Sequence, residues 1–273
     1  MKLTVENFDL LTSNKYPTLC LRRQNEYGGV KKLTFEDIDT LRKDRYSDAI
    51  TILGLQQDTF EYFIEKYASQ FKIIRFYNCR AVQDWTSLGK LKGLEFLELS
   101  SNHGLTSLWD LSGNHSLQAL SINSCSKMHN IEGIEKAPAL RRFDFGDALW
   151  RTTTIDSFMP LSGTKIEYLE FNGKKVEDND LSFLWKMPEL KHFDFPTNLF
   201  TTEQIAWIVA NFPNVEGYAL RAKIDTTTCN NAPATLIIGK RKPCLLNMSN
   251  EDKIQRYVDQ FNRLVEYYKG KEI

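Results

Sequence analysis

The stretch Leu94-Glu95-Phe96-Leu97-Glu98-Leu99-Ser100-Ser101-Asn102 sets the frame for the chain: apolar residues at 94, 97 and 99, then a polar asparagine at 102. The spacing begins at Phe71, Leu94, Leu117, Leu140, Ile166, Leu190 and Val215, so successive copies lie 23, 23, 23, 26, 24 and 25 residues apart. Side chains alternate across a strand, so two inward apolar residues around one outward residue describe a short strand with one buried face. Such a strand cannot bury its apolar pair alone. Stacking the copies buries them in a continuous core.

Other copies keep the apolar frame and vary its last position: Phe71, Ile74, Phe76, Cys79; Leu117, Leu120, Ile122, Cys125; and Leu190, Phe193, Phe195, Asn198. The pattern L-x-x-L-x-L-x-x-N at this interval resembles the leucine-rich repeat. Between strands, Leu105, Leu108 and Leu111, then Ile131 and Ile134, extend the frame in a phase that resembles the bacterial internalin-like class of short repeats. Ser47, Ile50 and Ile52 fit one weaker copy ahead of Phe71, so the resemblance covers residues 47–221. It implies an α/β repeat: a leucine-rich repeat solenoid, or horseshoe, with a parallel sheet on the concave face and a helical turn or short helix crossing the back of each repeat. It also implies that Asn or Cys at the last position satisfies backbone groups where the chain leaves its strand.

A solenoid needs covers on its end strands. Residues 1–46 are expected to form the amino-terminal cap, with short strands over Tyr16–Arg22 and Gly29–Leu33 and a helix over Thr34–Arg42. A further helix is predicted over Asp58–Gln70, with Asp58 as its N-cap. Residues 222–273 are expected to give a loop over Asp225–Pro233, a last strand over Ala234–Gly239, and a closing helix that opens on a Ser249/Asp252 capping box and carries the stripe Ile254, Tyr257, Val258, Phe261, Leu264, Val265 and Tyr268. These parts make one continuous domain.

The 273 residues hold 35 basic and 35 acidic side chains, so no global field points to nucleic acid or to an acidic membrane. No apolar run approaches the roughly 18–20 residues of a membrane helix, and the sequence MKLTVENFDLLTSNK lacks a signal-peptide core. A cytoplasmic protein is expected, and a monomer. Cys20, Cys79, Cys125, Cys229 and Cys244 read as reduced structural thiols, two of them at the turn position of the repeat.

Catalytic patterns are missing. Gly239-Lys240 lacks the rest of a phosphate loop, and H-E-x-x-H, G-x-S-x-G and G-x-G-x-x-G do not occur. Cys125 and His129, with His103 and His115, have none of the familiar zinc spacings and read as polar turn residues. No catalytic residue, metal ligand or cofactor is expected. Trp85, Trp109, Trp150, Trp185 and Trp207 lie outside the strand cores and read as packing on the back of the solenoid. Trp150-Arg151-Thr152-Thr153-Thr154, inside the longest interval, reads as a bulge or a ligand-contacting rim.

Fixing the inward residues fixes the outward ones. The central outward column runs Thr51, Arg75, Glu98, Ser121, Asp144, Glu170, Asp194 and Ala219. One neighbouring column runs Ala49, Ile73, Phe96, Ala119, Arg142, Tyr168, His192 and Gly217, and the other includes Leu53, Tyr77, Ser100, Asn123 and Asn172. An acidic ridge flanked by aromatics is expected on the concave face. Two readings stand for it: charge kept on exposed strands for solubility, or a partner site. Carboxylates on adjacent strands sit roughly 5 Å apart and repel, which argues against the first, although Arg142 is placed to neutralise part of the ridge.

The leading expectation is a non-enzymatic protein-protein interaction module. Its partner is a protein with a basic surface, bound through Tyr77, Phe96, Glu98, Arg142, Asp144, Tyr168, Glu170, His192 and Asp194. Its sharper form is an inhibitor or immunity protein covering a basic toxin or nuclease. The alternative is a substrate-recruiting subunit or an enzyme with a cryptic site, for which the segments outside the array are small.

Overall fold

The computed structural model describes residues 2–24, 30–43, 47–147, 152–229 and 232–271. The chain divides into two compact units, Met1–Leu190 and Lys191–Ile273. The fold is α/β, built on a large parallel sheet.

In the first unit, seven strands lie side by side in chain order: β1 (Leu19–Leu21), β2 (Ala49–Leu53), β3 (Ile73–Tyr77), β4 (Phe96–Ser100), β5 (Ala119–Asn123), β6 (Arg142–Gly146) and β7 (Tyr168–Asn172). Every pair is parallel, and the register is the one the repeat predicts. Thr51, Arg75, Glu98, Ser121, Asp144 and Glu170 are consecutive rungs, as are Ala49, Ile73, Phe96, Ala119, Arg142 and Tyr168. The inward residues alternate with them and are buried: Ile50 and Ile52, Ile74 and Phe76, Leu97 and Leu99, Leu120 and Ile122, Phe143 and Phe145, Leu169 and Phe171. Short 3-10 turns cross behind the sheet at Thr86–Lys90, Leu111–Gly113, Ile134–Lys136, Met159–Leu161 and Ser182–Lys186, each adding at least one buried leucine or isoleucine.

The exit from the strands repeats as regularly as the strands. Asn78, Ser101 and Ser124 adopt left-handed backbone (φ 56°, 58° and 56°) one residue past β3, β4 and β5. This turn keeps their N–H groups on the ladder, where they donate to Ser100, Asn123 and Gly146. Next, Asn102 accepts from Cys79 N at 2.8 Å and donates to Phe76 O at 2.9 Å, so one buried side chain satisfies two backbone groups of the preceding repeat. Cys79 and Cys125 point their thiols at Ile52 O and Leu99 O, each at 3.8 Å. Burial raises both thiols to about 12, which makes them inert packing groups.

The helices α2 (Phe35–Asp39) and α3 (Gln57–Lys66) form near the predicted places. Thr34 and Asp37 cap α2 reciprocally. The N-cap of α3 is Gln56, not Asp58: Gln56 N donates to Thr59 Oγ1 at 2.9 Å, while Asp58 sits in the first turn, where its charge meets the positive end of the helix. Trp85 and Trp109 pack behind the sheet as expected, whereas Trp185 is half exposed.

The second unit holds β8 (His192–Asp194), α4 (Thr202–Asn211), an antiparallel sheet of β9 (Lys223–Cys229), β10 (Ala232–Ile237) and β11 (Cys244–Leu246), and α5 (Asn247–Tyr268). The loop expected over Asp225–Pro233 is therefore corrected: Lys223–Cys229 is a strand, and its β-branched threonines suit one. Within α5, Asn250 has non-helical angles (φ −137°, ψ 19°), and Ser249 Oγ accepts from Asn250 Nδ2 at 2.9 Å, so the Ser249/Asp252 capping box does not form. Ile254 and Phe261 of the predicted stripe are buried, with Ile254 packed against Ile237 and Leu245. Trp207 Nε1 donates to Lys271 O at 2.7 Å.

Candidate functional site

The outward column beginning with Ala49, Ile73, Phe96 and Ala119 is apolar, and water is a poor partner for it. The chain covers it with its own amino-terminal segment. Leu3, Phe8 and Leu11 are buried in one cluster with those four residues, and Leu10 and Tyr16 pack at its edge. Local hydrogen bonds shape this arm. Thr4 N donates to Asn7 Oδ1 at 2.7 Å, a single helical turn, α1, spans Asp9–Thr12, and Lys15 N and Tyr16 N both donate to Leu10 O. The Phe8 ring stacks on Phe96 with centroids 5.9 Å apart.

Charged residues of the sheet fasten the arm on either side of this apolar strip. Arg142 Nη1 donates to Val5 O at 3.1 Å and to Glu6 O at 3.4 Å, with its guanidinium over the Phe8 ring at 5.6 Å. Its Nε faces both oxygens of Asp144, at 2.9 and 3.1 Å, and its Nη2 lies 3.7 Å from Glu170 Oε2. Burial opposes the charge on Arg142, but Asp144, Glu170 and Asp9 outweigh it and raise the group further. Arg75 Nη1 donates to Asn14 Oδ1 of the arm, and Arg75 Nε lies 2.6 Å from Glu98 Oε2. That pair is close, yet neither Glu98 oxygen has hydrogen-bond alignment with any group among the described residues.

Burial dominates both inner carboxyls. It lifts Glu98 to about 7 against the pull of Arg75, with Asp144 adding to the rise. It also lifts Asp144 to about 7 against Arg142, with Glu170 and Asp9 adding.

Within the first unit the register puts Tyr77, Phe96, Glu98, Arg142, Asp144, Tyr168 and Glu170 on one face, but their exposure needs correction. Phe96, Glu98, Arg142 and Asp144 are expected on an open face and are instead 2%, 1%, 8% and 9% exposed, because the arm lies on them. Tyr77 is exposed beside Arg75, whose guanidinium is 5.5 Å from its ring centre, and Tyr168 and Glu170 are half-buried. In the second unit, His192 Nδ1 is 3.8 Å from Glu216 Oε2, and Asp194 Oδ1 accepts from Tyr218 N at 2.7 Å. Trp150 and Arg151 of the expected insertion lie outside the described residues.

Between Thr12 and Ser13 of the arm and strands β5 to β7 is a cavity of about 180 Å³. Its polar lining includes Ser13 from the arm and Ser121, Asn123, Asp144, Glu170 and Asn172 from the sheet. Sequence reasoning misses the arm and therefore this cavity. The one available signal was the run of outward apolar residues from Ala49 to Ala119, which called for a cover.

Among the described residues, no group of three His, Cys, Asp or Glu is placed to hold a metal ion. No helix among them is long and apolar enough to cross a membrane. The chain matches no protein-family model, and no curated protein matches it.

Proposed function

We propose that the chain is a leucine-rich repeat solenoid acting as a non-enzymatic interaction module, which binds a basic protein partner on the sheet face that carries the arm. The single observation that carries this reading is the seated arm. The face already takes a peptide segment, with Phe8 and Leu11 as apolar anchors and Arg142 holding main-chain carbonyls. Those are the elements by which one protein surface receives another's chain. The repeated register, the left-handed exits and the Asn102 bonds support the repeat assignment.

The choice of a basic partner rests on Glu170. Its side chain is 39% exposed, and it shares one guanidinium with the buried Asp144. An inhibitor or immunity protein is the narrower form of the proposal. The test is capture of partners from host lysate at low salt with wild type and with Glu170→Lys, a substitution at the more exposed of the two carboxylates that face Arg142. A basic protein held by wild type and released by the folded variant is the expected outcome. Identical capture by both proteins overturns the reading.

A further inference from the structure

The arm is a layer separate from the ladder. Among the described residues its backbone–backbone hydrogen bonds all stay within it, as in Ser13 N to Asp9 O, Asn14 N to Leu11 O, and Tyr16 N to Leu10 O. It adds no strand to the sheet, and the hydrogen bonds that tie it down come from the side chains of Arg142, to Val5 O and Glu6 O, and of Arg75, to Asn14 Oδ1. Asn14 turns the chain through left-handed backbone (φ 60°), and Pro17 then leads to Thr18, whose hydroxyl meets Thr51 Oγ1 at 2.7 Å. Tyr16 to Thr18 is therefore the hinge between the arm and the first strand.

What the seated arm covers opposes its closure. Glu98 is 1% exposed and Arg75 6%. Arg75 Nε is 2.6 Å from Glu98 Oε2, yet this nitrogen and both carboxylate oxygens lack hydrogen-bond alignment with any group among the described residues. Burying such a pair costs more hydration than its geometry returns. Lifting the arm gives the water back. A proton on Glu98 removes the buried carboxylate charge with the arm still in place, and Arg75 keeps Asn14 Oδ1 and the Tyr77 ring as partners. At the other end the arm brings Asp9 toward Arg142, whose guanidinium Asp144 and Glu170 already share. Closure with Asp144 ionised thus gathers three carboxylates around one guanidinium. The charged groups that face Glu98 are Arg75 and Asp144, and those that face Asp144 are Arg142, Glu170 and Asp9.

We propose that the arm is a proton-gated strap, which closes over the sheet face while Glu98 and Asp144 carry protons and lifts about the Tyr16–Thr18 hinge when they ionise. Burial lifts both carboxyls to about 7 with the arm seated. The closed state therefore binds more protons than the open one between the ordinary carboxyl range and about 7, so opening is favoured as pH rises through that window. As a gate on a partner, the strap rests on the reading of this face as a binding surface; its motion does not.

The test is amide hydrogen exchange of the full chain, read as protection factors at pH 4.5 and 7.5. A single turn is unstable by itself in water, so a lifted arm exchanges. Protection at Leu11, Ser13, Asn14 and Tyr16 should lie about tenfold or more below that of the β4 ladder. It should fall as pH rises, by up to about tenfold per unit for each carboxyl that ionises. Arm amides as protected as the ladder at both pH values, or arm protection that does not change with pH, overturns the proposal.

Two variants sharpen it. Glu98→Gln should reduce the pH slope of arm protection, and an unchanged slope counts against the strap. Asp9→Asn, at an exposed position of the arm, should raise arm protection about threefold or more at pH 7.5 and less at pH 4.5, because it removes a carboxylate that faces Asp144. An equal effect at both values overturns the gating. Exchange is measured without a partner, so failure here leaves the capture experiment with Glu170→Lys untouched, and identical capture there leaves the strap standing.

Discussion

Arg142 donates to the carbonyl of Val5 at 3.1 Å across 137 residues of chain, and this bond ties the amino-terminal arm to the sixth strand of the sheet. The same guanidinium is paired with Asp144 and lies over Phe8, so one side chain joins the arm, the acidic column and the apolar strip. Only a planar cation with several donors reaches all of these partners at once.

Arg142→Met removes that junction and leaves Asp144 buried without a counter-charge. Loss of one partner of a buried pair costs about 3–5 kcal/mol. The variant should unfold at a correspondingly lower denaturant midpoint. Hydrogen exchange should show the amides of residues 3–16 losing protection before those of β3 to β5, because the arm has lost its anchor while the ladder has not. Uniform loss of protection across both regions would show that the arm is no separate layer.

Stability should fall as pH rises from about 4 to about 7. Burial lifts Glu98 and Asp144 to about 7 in the folded chain, from ordinary values of 4.5 and 3.8. Between the unfolded and folded values only the native state keeps the proton, so each step up in pH favours the unfolded chain. Each carboxyl contributes on the order of 3 kcal/mol over that window. Denaturant midpoints for wild type and Glu98→Gln at pH 4.5 and 7.5 check this. The variant, which mimics the protonated side chain, should show a smaller pH slope, and an unchanged slope would remove Glu98 from the account.

Asn102→Ala should cost about 2–6 kcal/mol, the sum for two orphaned backbone groups. The amide side chain is fully buried and satisfies both Cys79 N and Phe76 O, and each orphaned backbone group costs about 1–3 kcal/mol. Thermal unfolding of the variant measures the loss. Asn102→Asp should be worse still, since it keeps the acceptor, loses the donor to Phe76 O and adds a buried charge.

The repeat was legible because its rule is local. Leu97 and Leu99 point inward on either side of Glu98, and the same triplet recurs six more times, so every rung from Thr51 to Glu170 follows from period 2 and the repeat interval. The arm obeys no such rule. Thr4 and Asn7 set its first turn and Asn14 takes a bond from Arg75, through hydrogen bonds that leave no periodic trace, and its anchors Leu3, Phe8 and Leu11 look like scattered apolar residues until the column they cover is known. Reading Phe96 and Glu98 as exposed failed for that reason: register assigns a side chain to a face without saying what lies on the face. The strand Lys223–Cys229 was missed because Asp225 and the polar threonines resemble a loop in composition, while their branching favours extended backbone.

The arm precedes every strand it rests on, and synthesis makes that order matter. At roughly 5–20 residues per second, Arg142 leaves the ribosome about 7–27 s after Val5. Throughout that interval Phe8 and Leu11 have no complete surface to settle on, and the apolar rungs Ile73, Phe96 and Ala119 emerge one after another into solvent. Docking of the arm is thus a contact of very high sequence separation, reached after the local ladder has zipped together. The nascent chain consequently spends its growth with both halves of this long-range contact exposed, and chaperones that recognise short apolar segments have a defined window in which to hold them.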